Sequence, residues 1–241
     1  VHSNLSPQTS RIAWASLIFV WVIVIGFRHT VGCDWEPYAG FYQSSIHLLE
    51  FRDEYLALNS FWPTIVDSIA FWEPSYAALN LFAALTGTGI YGVNLICGLL
   101  IVFGLSAFCR QMPLQWLAWI TATPYFLTVI SLGYTRQATA IGLILWAFAS
   151  LKQKKIWLYL LFCLLAVSFH KWSVLIAFIG LPLLFPKRYQ LQATTLTFLA
   201  ILVLGTFAYF IKVGFNPLHF QTFYLDQQSI GSGLRISLTA F

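Results

Sequence analysis

Charge is the scarcest property of this 241-residue chain: 9% of its positions are Asp, Glu, Lys or Arg, against roughly 25% in an ordinary soluble domain. A water-soluble globule cannot be built from that composition, and the abundance of apolar residues equally excludes a disordered chain or a charged nucleic-acid-binding surface. Cysteine is also sparse. Cys33, Cys97, Cys109 and Cys163 show no metal-ligand spacing, and the last three lie in or beside apolar runs, so no disulfide framework is expected. The chain has no nucleotide-phosphate loop, no Gly-x-Ser-x-Gly elbow and no His-Glu-x-x-His, which leaves soluble nucleotide-sugar chemistry without support. No short cleavable signal pattern precedes the first apolar run, which reads as a retained span, and the end at Phe241 reads as a truncated one.

What is present is apolar surface: 59% hydrophobic and 18% aromatic residues. That is the composition of a polytopic membrane protein. The net charge of +5 says little about ligands, because membrane proteins carry Lys and Arg for orientation.

The spans are read from where charge is missing, since a charge at mid-bilayer costs several kcal/mol and about 20 apolar residues cross the hydrocarbon. Charge-free intervals cover 12–27, 74–109, 111–135, 137–151, 156–170, 172–186 and 189–211. Gly87 and Gly89 divide the second into a re-entrant or interfacial half-helix, 74–86, and a full span from 90 to 109. The expected fold is all-α: a transmembrane bundle of about seven spans plus the half-helix, forming one integral membrane domain over 1–241. Residues 28–76 form a long extracytoplasmic loop, and 213–241 a second extracytoplasmic segment.

Alternation from a cytoplasmic Arg11 places Arg110, Lys152, Lys154, Lys155, Lys187 and Arg188 inside, and the other six cations outside with all eight carboxylates. The short loops obey the positive-inside rule, and the segregation of the acids is an independent agreement. One step has a rival: a single 31-residue helix over 156–186 would bury His170 and Lys171 at mid-membrane, whereas a hairpin turns there.

Several ionisable residues then share the outer face. Arg28 and Asp34 follow the first span, although a lone Arg at that place also serves as an interfacial anchor. Glu73 precedes Pro74, where it reads either as a helix cap or as an acid in a pocket. Arg136-Gln137 opens one span and His170-Lys171 closes another. Ser232-Gly233-x-Arg235 lies beyond the last span and equally suits an ordinary loop. Three guanidiniums, a Lys, a His and several acids beside a lipid surface suit a polyanionic head group, for which Arg offers a bidentate fork. Aromatic residues suit stacking on sugar rings, although interfacial belts also use them.

The ordered set Arg28...Gly32-x-Asp34, Glu73-Pro74, Arg136-Gln137, His170-Lys171 and Ser232-Gly233-x-Arg235 resembles the EpsG family of bacterial exopolysaccharide membrane proteins, relatives of Wzy-type polymerases. The resemblance runs from about residue 12 to the end, with Cys33 standing where a hydroxyl residue is expected and Trp172 separating His170-Lys171 from Ser173. It implies a glycosyltransferase fold of the GT-C type in the bacterial inner membrane, assembling surface polysaccharide from polyprenyl-diphosphate-linked oligosaccharide on the extracytoplasmic side. The growing glycan is then the acceptor, and other polysaccharide export proteins are candidate partners.

The chemistry expected on the matched positions is an inverting transfer without metal or cofactor. Arg28, Arg136, Gln137, Lys171 and Arg235 hold the diphosphate or substrate, His170 is the first candidate base, and Asp34 or Glu73 is the second. Neighbouring cations would keep His170 neutral. The competing readings are a transporter or flippase of lipid-linked oligosaccharide and a non-catalytic component of an export complex. Transporters favour midplane charges and internal repeats, and neither is evident here.

Overall fold

The computed structural model describes residues 6–32, 34–57, 59–60, 63–64 and 73–213. Among them every regular element is helical. In order these are α1 (Pro7–Gly26), α2 (Trp35–Glu50), α3 (Arg52–Ala57), α4 (Pro74–Thr86), α5 (Gly89–Cys109), α6 (Gln115–Gly133), α7 (Thr135–Lys152), α8 (Ile156–Phe169), α9 (Ser173–Ala177) and α10 (Gln190–Val213). Two 3₁₀ segments, Phe178–Leu184 and Lys187–Tyr189, lie between the last two helices. The chain divides into two compact units, Val1–Val174 and Leu175–Phe241.

In the first unit α1 and α5 pack antiparallel, and two contacts fix their ends. At one end Trp14 Nε1 donates to Ser106 Oγ at 2.7 Å, in the interior. At the other, Phe27 stacks on Tyr91 and His29 Nδ1 lies 2.8 Å from the Tyr91 hydroxyl. Trp116 and Trp119 of α6 meet Trp14 edge-on, so α6 starts at the Trp14 end. Gln111 Nε2 donates to the Ala149 carbonyl at 2.7 Å, and Lys152 Nζ to the Gln111 carbonyl, so α7 finishes there. Helices α1, α5, α6, α7 and α8 therefore alternate in direction as the charge-free intervals imply. The Arg110 and Lys152 end stands opposite an end that carries Arg28, Arg136 and His170.

Helices α5 and α7 cross closely, and two glycines permit it. A Cβ on Gly104 would fall 1.9 Å from the Gly142 carbonyl oxygen, and one on Gly142 would fall 2.7 Å from Ile101 Cα. Close backbone approach through small residues is how membrane helices gain packing without a hydrophobic drive between them.

The half-helix also exists. Pro74 occupies the first turn of α4, where its missing N–H costs nothing, and Gly87 ends the helix at φ 67. Its 13 residues span about 20 Å at 1.5 Å per residue, too short to cross a bilayer core of about 30 Å. Within the loop anticipated over 28–76, α2 is a structured helix. Its buried stripe Trp35, Tyr38, Phe41, Ser45 and Leu48 follows helical spacing, and it packs on α4.

Among the described residues four helices are long and apolar enough to span: Gln8–Gly26, Gly89–Cys109, Gln115–Gly133 and Lys187–Phe207. Ile156–Phe169 and Ser173–Leu184 are shorter apolar helices. Charge-free length overstates helix length, because chain breaks need not carry charge. In α6, Pro124 cannot donate a backbone hydrogen bond, and Thr123–Ile130 winds as a π-helix in which Ser131 N and Oγ both reach the Phe126 carbonyl. The helix ending at Phe169 is closed by an extended His170 (φ −158, ψ 107), which rules out an unbroken helix through 156–186.

In the second unit, α10 packs on Phe178–Leu184, whose Pro182 interrupts regular helical bonding. Gln190 Nε2 donates to the Phe185 carbonyl at 3.2 Å across the turn before α10.

Candidate active site

Glu73 is the centre of the charged end of the first unit. It takes the cap position of α4, yet its side chain makes no cap hydrogen bond. Its backbone stands at φ 66, ψ 138, a conformation that costs a non-glycine residue on the order of 1–3 kcal/mol and that survives where surrounding contacts hold it. That backbone aims the carboxylate away from the helix amides. Oε2 receives Arg136 Nη1 at 2.7 Å, and Oε1 lies 3.3 Å from His170 Nδ1 and 3.4 Å from the Lys171 amide nitrogen.

Three chain breaks bring these groups together. Glu73 precedes α4, Arg136 lies in the first turn of α7 after a break at Tyr134 (φ −132, ψ 69), and His170 follows α8. A hydrogen bond between Ser75 and Ser168 hydroxyls, 2.6 Å, ties the start of α4 to the end of α8. The Glu73 side chain is 7% exposed, against 23% for Arg136 and 21% for His170. The acid is thus sheltered between two partly exposed groups. Burial opposes its ionisation, but the contact with His170, the charge of Arg136 and the Lys171 amide outweigh it and hold the carboxyl below its ordinary range.

Aromatic rings form the floor under Arg136. Its Cζ lies 5.6 Å from the Tyr38 ring centroid and 5.9 Å from that of Tyr76, within cation–π range. Tyr38 donates to Asp34 Oδ2 at 3.4 Å, one turn back on α2. Burial, with Asp34 adding to it, pushes the Tyr38 hydroxyl up to about 12, so it stays protonated and able to donate at neutral pH.

A carboxylate that pairs with a guanidinium and faces an imidazole, beside a backbone amide and an exposed lysine, has the chemical makings of an anion site with a base at hand. A family model described as the EpsG family matches residues 11–241. The chain belongs to the EpsG family. Neither the curated proteins nor the solved structures compared with it give a match. EpsG membership points to polysaccharide biosynthesis, and the apolar helices agree with a membrane protein.

The residues expected at the site of this EpsG-family chain separate into groups. Glu73, Arg136, His170 and Lys171 come together. Asp34 stands one step away, linked through Tyr38. Gln137 is exposed at the start of α7. Arg28 is only 5% exposed, and it donates through Nη1 to the Leu132 carbonyl and through Nη2 to the Thr135 hydroxyl rather than joining the Glu73 cluster. Arg235 lies outside the described residues. Cations were expected to surround His170, whereas the closest charged partner is the Glu73 carboxylate. Among the described residues no three of His, Cys, Asp and Glu gather as a metal site. Sequence reasoning missed Tyr38 and Tyr76. The signal for Tyr38 was its i, i+4 spacing from Asp34 on an amphipathic helix.

Proposed function

We propose that this protein polymerises surface polysaccharide by inverting glycosyl transfer from a polyprenyl-diphosphate-linked oligosaccharide, on the extracytoplasmic face of the bacterial inner membrane. The observation that carries this reading is the Glu73 carboxylate held between Arg136 and His170 at the ends of three helices, in an EpsG-family chain. Clustering of ionisable groups at one end of the bundle supports the enzyme over a transporter, which would place them along a path at mid-depth.

In this reading an acceptor hydroxyl attacks the anomeric carbon from the side opposite the diphosphate. The new carbon–oxygen bond forms as the bond to the diphosphate oxygen breaks, and its electron pair leaves with the diphosphate. Arg136 and Lys171 stabilise that charge, which is worth about 3 to 4 kcal/mol per donor by analogy with oxyanion sites. The hydroxyl proton passes to His170 Nε2. Glu73 facing Nδ1 selects the tautomer with a proton there, which leaves Nε2 as the acceptor. Positioned bases contribute roughly 10² to 10⁴ in rate. The products are a glycan longer by one repeat unit and a polyprenyl diphosphate. The reaction needs no metal or cofactor, because diphosphate is already a good leaving group. Other export proteins would receive the polymer.

The test is to reconstitute the full chain in nanodiscs with a lipid-diphosphate oligosaccharide and to measure glycan length together with released lipid diphosphate. The two should rise together, with one diphosphate per bond formed. Movement of intact donor across a vesicle membrane without bond formation would replace this reading with transport.

A further inference from the structure

Arg28 is a cation almost completely enclosed in protein, and its two terminal nitrogens are committed to neighbouring groups. Their partners lie on opposite sides of the break between α6 and α7. Nη1 serves the Leu132 carbonyl, in the last turn before Tyr134, and Nη2 serves the Thr135 hydroxyl, in the first turn after it. A helix end leaves its last carbonyls without intrahelical partners, and at membrane depth no water replaces them cheaply. The segment after Arg28 docks on the same break. Gly32, at φ 91, lies so close that a Cβ there would fall 2.6 Å from both Gly133 Cα and the Leu132 oxygen. Trp35, at the start of α2, lies with its ring centroid 6.0 Å from the guanidinium carbon of Arg28. The residue that follows Thr135 is Arg136, which meets Glu73.

We propose that Arg28 is a positioning residue. Its guanidinium staples the α6–α7 break and sets the first turn of α7, so that Arg136 meets Glu73 and faces the substrate. The functional half of this inference rests on the glycosyl-transfer reading; the staple does not. Arg is required because one planar fork must serve a carbonyl and a hydroxyl at once, which an ammonium does poorly.

The experiment uses the full chain in nanodiscs with Arg28→Ala, Arg28→Lys and Thr135→Val, each alone and with Arg136→Ala. Hydrogen exchange of the amides over 133–138 reads the staple whatever the chemistry, and release of lipid diphosphate gives kcat and KM. In Arg28→Ala, exchange over 133–138 should rise about tenfold or more. Its kcat should fall about 10²-fold with KM changed less than about threefold, the expected consequence of a catalytic group misplaced by about 1 Å. Arg28→Lys should recover part of kcat, and Thr135→Val, which removes one leg, should lose about tenfold. On the Arg136→Ala background, Arg28→Ala should cost less than about threefold more, because both act through one group. Should Arg28→Ala not fold, Thr135→Val carries the same comparison. Unchanged exchange, a loss confined to KM, or full additivity with Arg136→Ala would overturn the proposal. A wild-type chain that releases no diphosphate while exchange still rises in Arg28→Ala would sink the glycosyl-transfer reading and uphold the staple.

Discussion

A single carboxylate organises the charged end of the bundle. Glu73→Gln keeps the size of the side chain but removes the charge that holds Arg136 and faces His170. Hydrogen bonds to charged groups contribute about 1.5–3 kcal/mol, so thermal stability should fall by that order, and turnover should fall by at least about 10²-fold as the proposed base, His170, loses its orientation. Melting in detergent and release of lipid diphosphate measure the two effects separately. The pH dependence follows from the same contacts. Because the folded carboxyl is held below its ordinary value of about 4.3, its stabilisation is fully present above that pH and is lost as pH falls through the lowered value. Wild-type melting temperature should therefore drop on acidification below about pH 4.3, and Glu73→Gln should flatten that drop. Sequence left Glu73 between helix cap and pocket acid. Its position before Pro74 fits both, and only the left-handed backbone, which no residue type announces, turns the side chain from the amides toward Arg136. The four grouped residues were legible because charge is scarce near a membrane, but the partners of Arg28 depend on a backbone carbonyl 104 residues away.

At the level of elements, the site depends on where helices stop. The α5–α7 crossing holds the frame that carries Arg136, and Gly104→Ala would place a methyl group against the Gly142 carbonyl. Overpacking of this kind costs typically about 1–3 kcal/mol, so the variant should melt lower and lose activity as α7 shifts. Gly205→Ala is the contrasting case, since the nearest atom to its new Cβ is Leu175 Cδ1 at 4.0 Å. Alanine favours helix over glycine by about 0.8–1 kcal/mol, so that variant should keep or gain stability. Charge-free intervals located the half-helix and the order of spans in the first unit because Gly87, Gly89 and the flanking charges mark real boundaries. They missed the π-helical turn in α6 and the short Ser173–Leu184 segment, where Pro124 and Pro182 change the winding without any change in charge.

Across the molecule, the contacts that pair Trp14 with Ser106 and Gln111 with Ala149 gather Arg110 and Lys152 at one end, while Glu73, Arg136 and His170 gather at the other. In the proposed orientation, which follows the positive-inside rule, the first end is cytoplasmic. In a background with the native cysteines replaced by Ser, a Cys at Lys154 should react only from the cytoplasmic side and one at Gln137 only from outside. Reversed labelling would invert the proposed location of the chemistry. In the proposed function Arg136 and His170 act together in glycosyl transfer from a lipid-linked donor, and turnover by the full chain in nanodiscs is the decisive measurement. Lipid-diphosphate release should fall about 10²-fold or more in both Arg136→Ala and His170→Ala. Undiminished polymer from both variants would remove Arg136 and His170 from the chemistry.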